Sequence, residues 1–152
     1  MINAKSQALE ILRNWNELRT RGIWLEGVEG EGTFKQWWAN GVIRRVEHYK
    51  NGKSNGEVLQ WHENGQLWQK CYYKNGELNG EYKEWWDNGN LHYISHYRNG
   101  KQEGEYKNWY ANGQINIKAY VKSDKLHGEY KEWDKNGKLV KCIYYKNGKE
   151  IK

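Results

Sequence analysis

Aromatic and polar positions alternate along most of this chain, and the alternation repeats every 24 residues. The stretch from Gly80 to Glu103, GEYKEWWDNGNLHYISHYRNGKQE, shows the pattern most clearly, with two short alternating segments that are each followed by Asn-Gly. Related stretches begin at Gly32, Gly56, Gly104 and Gly128. A period of this length indicates an array in which every unit forms the same supersecondary structure.

The turns within each unit predict an all-β meander. When each unit is numbered from 1 at its glycine, Trp stands at position 6 and Asn-Gly at positions 9 and 10 in all five units. A second Asn-Gly follows at positions 20 and 21, except in the fourth unit, which has Ser123-Asp124. Asn-Gly is typical of two-residue type I′ hairpin turns, because both central residues need a positive φ. Turns that alternate every 11 and 13 residues leave no room for intervening helices. We therefore predict an elongated, twisted antiparallel meander of stacked β-hairpins, with ten strands or slightly more.

A two-residue turn at positions 9 and 10 also predicts a register and two faces. Position 6 then pairs with position 13, position 4 with 15, and position 3 with 16. Face one, at positions 3, 7, 12, 16 and 18, is rich in Tyr, Leu, Ile and Val and is the predicted buried face. Face two, at positions 2, 4, 6, 13, 15 and 17, carries a ladder of Trp flanked by Glu and Lys. This half-aromatic composition is common in recognition surfaces.

Residues 3 to about 20 are the one stretch with helical periodicity. Apolar residues recur there at three- and four-residue spacing and form one stripe: Ala8, Ile11, Leu12, Trp15 and Leu18. Residues 23–25 form a predicted orphan strand. We therefore predict that residues 1–31 are an N-terminal cap, that residues 32–152 are the repeat array, and that both form a single domain. The helix either covers a sheet edge or an apolar sheet face, or serves as a docking or dimerisation helix.

Composition favours a thin sheet over a thick core. The 152 residues include ten Trp and twelve Tyr but one Phe and no Pro, which suits aromatic pairs across strands. The net charge of +6 permits nucleic acid, anionic lipid or an acidic protein as partner and selects none of them.

Cys71 and Cys142 lie three units apart, roughly 29 Å at about 4.8 Å per strand, so we expect no internal disulfide. Free thiols and the lack of an apolar leader or a long apolar run predict a cytoplasmic protein without a transmembrane segment.

The clearest units resemble a known repeat family. GEYKEWWDNGNLHYISHYRNGK and GEYKEWDKNGKLVKCIYYKNGK loosely follow the form G-E-Y-K-x-W-x-x-N-G-x-L and then Y-Y-K-N-G-K. They resemble the MORN repeat (membrane occupation and recognition nexus), specifically its bacterial variant, over residues 32 to 151. The resemblance implies an elongated, twisted antiparallel sheet of stacked hairpins. Many small bacterial proteins with this variant repeat look like members of an antitoxin family, whereas eukaryotic MORN proteins are mostly scaffolds with disputed lipid binding.

Side chains suited to catalysis do not form a recognisable motif. Every glycine is explained by a turn or by the start of a unit, so no phosphate-binding loop is predicted. His92 and His96 lie four residues apart on one strand, roughly 13 Å by strand rise, which is too far for one metal ion. The five histidines are interpreted as aromatic filler at positions where other units have Tyr. We predict a protein that is not an enzyme and that binds no cofactor or metal.

Irregular positions are the better candidates for partner binding, because residues required by a repeat fold recur and residues selected by a partner need not. Trp68 breaks the pattern and lies opposite Trp61 in the predicted register, with Ile94 opposite Lys83 nearby. The predicted partner-binding patch comprises Trp61, Trp68, Trp85, His92, Ile94, Trp109, Lys83 and Lys107. The alternative is that these residues only satisfy local twist.

A basic edge is the second candidate surface. Position 19 is basic in every unit: Lys50, Lys74, Arg98, Lys122 and Lys146. This edge either meets phosphates along a polymer or a membrane, with base stacking on exposed aromatics, or it is a row of solvated turn residues that discourage edge aggregation.

Three classes of function follow. The first is a non-catalytic protein-binding module of the antitoxin or immunity type, which blocks a toxin or effector by direct binding. A mobile-element inhibitor of a defence nuclease is a close variant of it. The second class is an adaptor that binds nucleic acid or anionic lipid through the basic edge, and the third is a scaffold that self-assembles into homo-oligomers. Small size, the lack of catalytic motifs and a rigid preformed surface favour the first class.

Overall fold

A computed structural model describes residues 13–15, 17–18, 20–21, 23–25 and 30–151. Residues 13–15, 17–18 and 20–21 are helical. Fifteen strands follow: β1 (Ile23–Leu25), β2 (Gly32–Trp37), β3 (Ile43–Lys50), β4 (Lys53–Trp61), β5 (Leu67–Lys74), β6 (Glu77–Leu78), β7 (Gly80–Trp85), β8 (Leu91–Arg98), β9 (Lys101–Gln102), β10 (Gly104–Trp109), β11 (Ile115–Lys122), β12 (Lys125–Leu126), β13 (Gly128–Trp133), β14 (Leu139–Lys146) and β15 (Lys149–Ile151). The predicted all-β class with one N-terminal α-helix is confirmed.

The strands form one antiparallel sheet that follows the order of the chain. Its path is β1-β2-β3-β4-β5-β7-β8-β10-β11-β13-β14-β15, and the two-residue strands β6, β9 and β12 each pair with the strand before them. Each unit therefore contributes one hairpin, and successive hairpins stack edge to edge. The predicted meander of stacked β-hairpins is confirmed. Within the described residues, no helix is long and apolar enough to cross a bilayer.

The two turns of each unit have different geometries. At the second turn, Asn99 and Gly100 have φ values of 49° and 74°, as a type I′ turn requires. At the first turn only the glycine is left-handed, as Gly89 shows with a φ of 84°. The Gly89 N–H donates to the Trp86 carbonyl at 2.9 Å, and the Trp86 N–H donates to the Asn90 carbonyl at 2.8 Å. The first turn is thus a three-residue loop that ends in a left-handed glycine, and the predicted two-residue type I′ turn at positions 9 and 10 is wrong.

This longer loop changes the register beside it. Position 3 pairs with 16 and position 4 with 15 as predicted, but position 6 pairs with position 12, as Trp85 does with Leu91. The predicted pairing of position 6 with position 13 is therefore wrong. All five hairpins show a register shift at this point, after Gln36, Gln60, Glu84, Asn108 and Glu132. A β-bulge at position 13 absorbs the extra loop residue and restores the predicted register beyond it.

The bulge also exchanges the faces of positions 12 and 13. The His92 ring lies 3.9 Å from the Trp86 ring, and His92 Nδ1 lies 3.5 Å from the Glu84 carboxylate. The same carboxylate accepts a hydrogen bond from the Tyr82 hydroxyl on face one. Position 13 therefore lies on face one with positions 5 and 7, and position 12, paired with position 6, moves to face two. The predicted faces of these two positions are wrong because the bulge inverts the alternation of side chains there.

Face one is nevertheless the buried face, as predicted. The residues with the lowest exposure all stand at positions 3, 16 or 18: Val58, Cys71, Ala119, Val121, Glu47 and Ser95. Both cysteines are free thiols, Cys71 buried and Cys142 exposed.

The N-terminal helix touches the first hairpin at its end. Gln36 Nε2 donates to the Thr20 carbonyl at 2.6 Å. Trp15 and Leu18 of the apolar stripe are 52% and 50% exposed, while Ala8, Ile11 and Leu12 lie outside the described residues. The role of this segment as a cap or docking helix, and the division at residue 31, remain predictions.

Candidate functional site

The row of first turns is joined by side-chain hydrogen bonds between units. The side chain at position 7 reaches the backbone carbonyl at position 6 of the next unit. The four contacts join Trp38 to Trp61 (2.9 Å), His62 to Trp85 (3.1 Å), Trp86 to Trp109 (3.1 Å) and Tyr110 to Trp133 (3.0 Å). Position 7 therefore needs a side chain with an N–H or O–H group, which Trp, His and Tyr all supply. His62 is thus a bonded member of this row, and the interpretation of it as filler is incomplete.

Asn at position 9 forms a second set of bonds along the same row. Asn88 Oδ1 accepts from the Asn90 N–H at 3.0 Å and closes its own turn. Asn88 Nδ2 donates to the Ala111 carbonyl of the next unit at 2.8 Å. Asn40, Asn64 and Asn112 make the same pair of bonds. Asn therefore recurs at position 9 because it fixes the spacing of neighbouring hairpins. The predicted reason, a positive φ at this position, is a different one.

Position 13 is free of these requirements and differs in every unit. We call its five residues the bulge column: Arg44, Trp68, His92, Asn116 and Val140. The Arg44 guanidinium carbon lies 4.5 Å from the centre of the Trp38 ring, and the Trp68 ring lies 6.1 Å from His62. Bulges re-aim a side chain without a cross-strand partner. The fold therefore accepts different side chains at this position, and the chain uses five different ones.

The first part of the bulge column borders a cavity. A space of about 430 Å³ is lined by Trp38, Arg44, Trp61, His62, Glu63 and Trp68. Trp68 remains 39% exposed. Trp and Arg side chains in a partly desolvated site are the residue types most enriched at binding hot spots. These six residues form a candidate site on this row of turns.

The structure divides the predicted partner-binding patch between the two faces. Trp68 and His92 belong to the bulge column on face one. By strand alternation the other six residues lie on face two: Trp61, Trp85, Trp109, Ile94, Lys83 and Lys107. The predicted pairing of Trp68 with Trp61 is wrong, because Trp61 pairs with Leu67 and Trp68 is the bulge residue. Trp61 and Trp68 still line the same cavity.

Ion pairs balance the charges on face two. Lys83 lies 2.7 Å from Glu81, and Lys107 lies 2.6 Å from Glu105. Hydrogen bonds from Lys107 and then Lys118 hold the pKa of the Glu105 carboxyl below its usual value. Lys83 and Lys107 therefore meet a carboxylate within their own strand, which leaves them little free charge for a partner.

The basic edge carries like charges opposite one another. The predicted residues Lys50, Lys74, Arg98, Lys122 and Lys146 are all exposed. Position 19 faces position 22 across each second turn, and four of the five pairs are doubly basic: Lys50 with Lys53, Arg98 with Lys101, Lys122 with Lys125, and Lys146 with Lys149. The exception is Lys74, which faces Glu77. Because nine of these ten residues are Lys or Arg, this edge is a strongly positive surface. Directly opposed like charges also destabilise a strand pair.

Burial raises the pKa of a thiol and a phenol on face one. Burial raises the pKa of the Cys71 thiol to about 12, so Cys71 is a protonated thiol and a poor nucleophile at neutral pH. Burial, and then a hydrogen bond to Glu132, raises the pKa of Tyr130 to about 12. Across the described part of the chain, no group of three or more His, Cys, Asp or Glu residues is arranged to hold a metal ion.

Five hairpins joined by the same bonds from unit to unit define a repeat protein that presents an extended binding surface. The sequence model of the MORN repeat variant matches residues 30–51, 54–75, 78–99, 102–123 and 126–147. The chain therefore belongs to the MORN repeat variant family, and the resemblance seen in its sequence is confirmed. No curated protein matches the chain.

Proposed function

We propose that this protein is a non-catalytic binding module of the antitoxin or immunity type, which acts in the cytoplasm by binding a toxin or effector protein directly. A nuclease used in host defence is one such effector, and an inhibitor carried by a mobile element would bind it in the same way. The observation that carries the proposal is the cavity beside Arg44 and Trp68, where an exposed indole and a stacked guanidinium border a common space.

The framework around this site supports tight binding. Side-chain bonds at positions 7 and 9 join one unit to the next along the first turns. Backbone bonds join the second turns, as the Gly100 N–H does with the Leu78 carbonyl at 2.9 Å. A surface fixed at both edges loses little conformational entropy when a partner binds. The backbone that carries Arg44 and Trp68 is therefore in place before the partner arrives.

Site-specific photocrosslinking in the native host tests the proposal. A benzophenone amino acid replaces Trp68, and control proteins carry it at Val140, the bulge position of the last unit, or at Lys122 on the basic edge. We expect one protein adduct from position 68 that is absent from position 140. The captured protein, once purified, should lose its toxic or nuclease activity at a 1:1 ratio with this chain. Absence of any protein adduct at position 68, or undiminished activity of the captured protein, would contradict the proposal.

A second candidate function is an adaptor that binds nucleic acid or anionic lipid through the basic edge. The four doubly basic pairs favour it, because opposed like charges lower stability and their retention suits a polyanionic partner. Affinity for a single-stranded oligonucleotide or for phosphatidylserine vesicles should then fall steeply between low and high salt. The variant Lys101→Glu with Lys125→Glu should weaken binding, whereas Lys83→Glu on face two should not. Failure to bind either probe at low salt would exclude this function.

The last unit disfavours the third class, end-to-end self-assembly. Asp134 stands at position 7, where the earlier units have a donor to the next unit. Its carboxylate instead accepts from the Asn136 and Lys138 N–H groups, at 2.9 and 3.0 Å. A carboxylate has no proton to donate to the carbonyl of an added unit. A homo-oligomer formed by extending this array would therefore lack the side-chain bond that joins all five units.

A further inference from the structure

The fourth unit lacks one ring of a recurring tyrosine pair. Position 18 is Tyr in four units, Tyr49, Tyr73, Tyr97 and Tyr145, but the fourth unit has Val121. In the third unit the Tyr97 ring lies 5.7 Å from Tyr82 at position 3, and in the fifth unit Tyr145 lies 6.0 Å from Tyr130. The fourth unit retains Tyr106 at position 3 and has no phenol ring at position 18 to pair with it.

A cavity occupies this place on face one. Its volume is about 340 Å³, and its lining includes the apolar side chains of Ile117, Val121 and Leu126 and the rings of Tyr106 and Tyr130. That volume is within the range of small-ligand sites. A mostly apolar lining with tyrosine on two sides suits a flat aromatic group.

The backbone around the cavity is regular. Gly104 pairs with Val121 in the fourth unit as Gly80 pairs with Tyr97 in the third. The cavity therefore results from the shorter side chain at position 18 and not from a change of register. A phenol ring that enters it can take the place that Tyr97 takes in its own unit.

A polar group at the cavity favours tyrosine over phenylalanine. Asp124 and Gln102 also line the space, and Asp124 Oδ1 accepts from the Gln102 N–H at 2.7 Å. Asp124 belongs to the one second turn that is not Asn-Gly, so two departures from the repeat meet here. A carboxylate in a partly apolar cavity is a strong acceptor for a phenol O–H.

We propose that this cavity between the fourth and fifth units receives a tyrosine side chain of the protein partner, in the place of the ring that Val121 lacks. The inference rests on the proposed protein-binding function and adds a second anchor to it. Arg44 and Trp68 lie on the same face as the cavity, so a partner that lies along face one reaches both sites. Buried aromatic anchors of this kind contribute about 30-fold or more to affinity.

Titration with p-cresol, the side-chain analogue of tyrosine, tests the cavity without the partner. In amide NMR spectra we expect saturable shifts at Ala119, Val121 and Leu126. Val121→Tyr, which restores the residue of the other units, should keep the fold and abolish these shifts. Tyr97→Val should create a second set of shifts near Tyr82. The proposal is overturned if the wild-type chain shows no saturable shifts, or if Val121→Tyr retains them.

Selection of random peptides displayed on phage tests whether the occupant is a protein side chain. The wild-type chain is the bait, and Val121→Tyr serves for counter-selection. We expect enriched peptides with Tyr at one position and a loss of affinity of about 30-fold or more on Val121→Tyr. Binding of p-cresol without enrichment of aromatic peptides would overturn the assignment to a protein partner. If this cavity fails both tests while position 68 still captures a protein, the proposed function stands without the second anchor.

Discussion

The two rows of turns are built on different principles. In the first row, side chains at positions 7 and 9 join neighbouring units, as Trp86 and Asn88 do with the third and fourth units. In the second row, a backbone bond joins them, as the Gly100 N–H does with the Leu78 carbonyl, and the side chain at position 24 adds a bond, as Asn79 Oδ1 accepts from the Asn99 N–H at 3.3 Å. Residue types are therefore restricted by hydrogen bonding in the first row but not at positions 19 and 22 of the second.

This difference separates two kinds of regularity. The Asn residues of the first row recur because each makes two bonds, so they describe the framework. The lysines of the second row recur although the fold requires no particular side chain there, so they supply a shared property, positive charge. In the bulge column of the first row, the fold requires no particular side chain, and the five units have five different ones. Residues selected by one particular partner are expected to vary in this way.

The largest effect on stability should come from Asn88→Ala in the first row. The substitution removes one bond within the turn and one bond to the next unit, and each is worth about 1 kcal/mol. We expect the free energy of unfolding in urea to fall by about 2 kcal/mol. Asn136→Ala is the control, because Asp134 accepts the N–H groups of that turn and the Asn136 side chain makes neither bond within the described residues, and it should cost less than about 0.5 kcal/mol. Equal losses for the two variants would show that the two bonds of Asn88 do not stabilise the fold.

Trp86→Phe should have a smaller effect on the same row. The variant keeps an aromatic ring beside His92 but removes the N–H that reaches the Trp109 carbonyl at 3.1 Å. We expect a loss of about 1 kcal/mol in the free energy of unfolding. Trp85→Phe makes the same change of ring at position 6, which makes no bond of this type. The role of position 7 would be refuted if Trp85→Phe proved as destabilising as Trp86→Phe.

The smallest effect should come from the second row. Lys101→Glu places a carboxylate opposite Arg98, as Glu77 naturally lies opposite Lys74. We expect a gain of about 0.5 kcal/mol in the free energy of unfolding at low salt, since opposed like charges become a favourable pair. The gain should disappear at about 1 M salt, because exposed charges are then screened. A gain that persists in high salt would mean that charge repulsion is not the cause.

Most of the fold could be predicted from the repeat alone. The 24-residue period, the alternation of side chains and the second Asn-Gly specified the all-β meander, the type I′ turns and the buried positions 3, 16 and 18. These features depend on local backbone preferences and on burial, and the residues that determine both recur in every unit. Repetition therefore reduces the ambiguity of any single short strand.

The first turn could not be predicted from Asn-Gly, because two turn types use this pair. Gly89 provides the left-handed residue that ends a three-residue loop as readily as the second residue of a type I′ turn. One additional loop residue reverses which face each side chain of the returning strand points to, until the bulge at position 13 restores the alternation. A prediction based on the two-residue turn therefore places Trp68 on the wrong face. The sequence does contain one sign of the bonds between first turns. Position 7 carries a side chain with a proton donor in four units: Trp38, His62, Trp86 and Tyr110.

The candidate site was predicted only in part. Trp61 and Trp68 of this site belong to the predicted patch, but Arg44 does not, because a single arginine near a turn looks like an ordinary solvated residue. Its importance comes from the bulge, which directs it over Trp38. The cavity at Val121 was missed for a similar reason, since valine is an unremarkable residue in a buried strand. Val121 is informative only by comparison with the other four units, which have a tyrosine ring at the same position.

The affinity of Trp68→Ala for the captured partner, measured together with its thermal stability, tests the central claim most directly. Trp68 is an exposed bulge residue outside the bonds that join the units, so the melting temperature should stay close to that of the wild-type chain. The affinity should fall about 30-fold or more, as expected for a hot-spot tryptophan. A variant that melts early but binds the partner normally would contradict the claim, because Trp68 would then belong to the framework and not to the binding site.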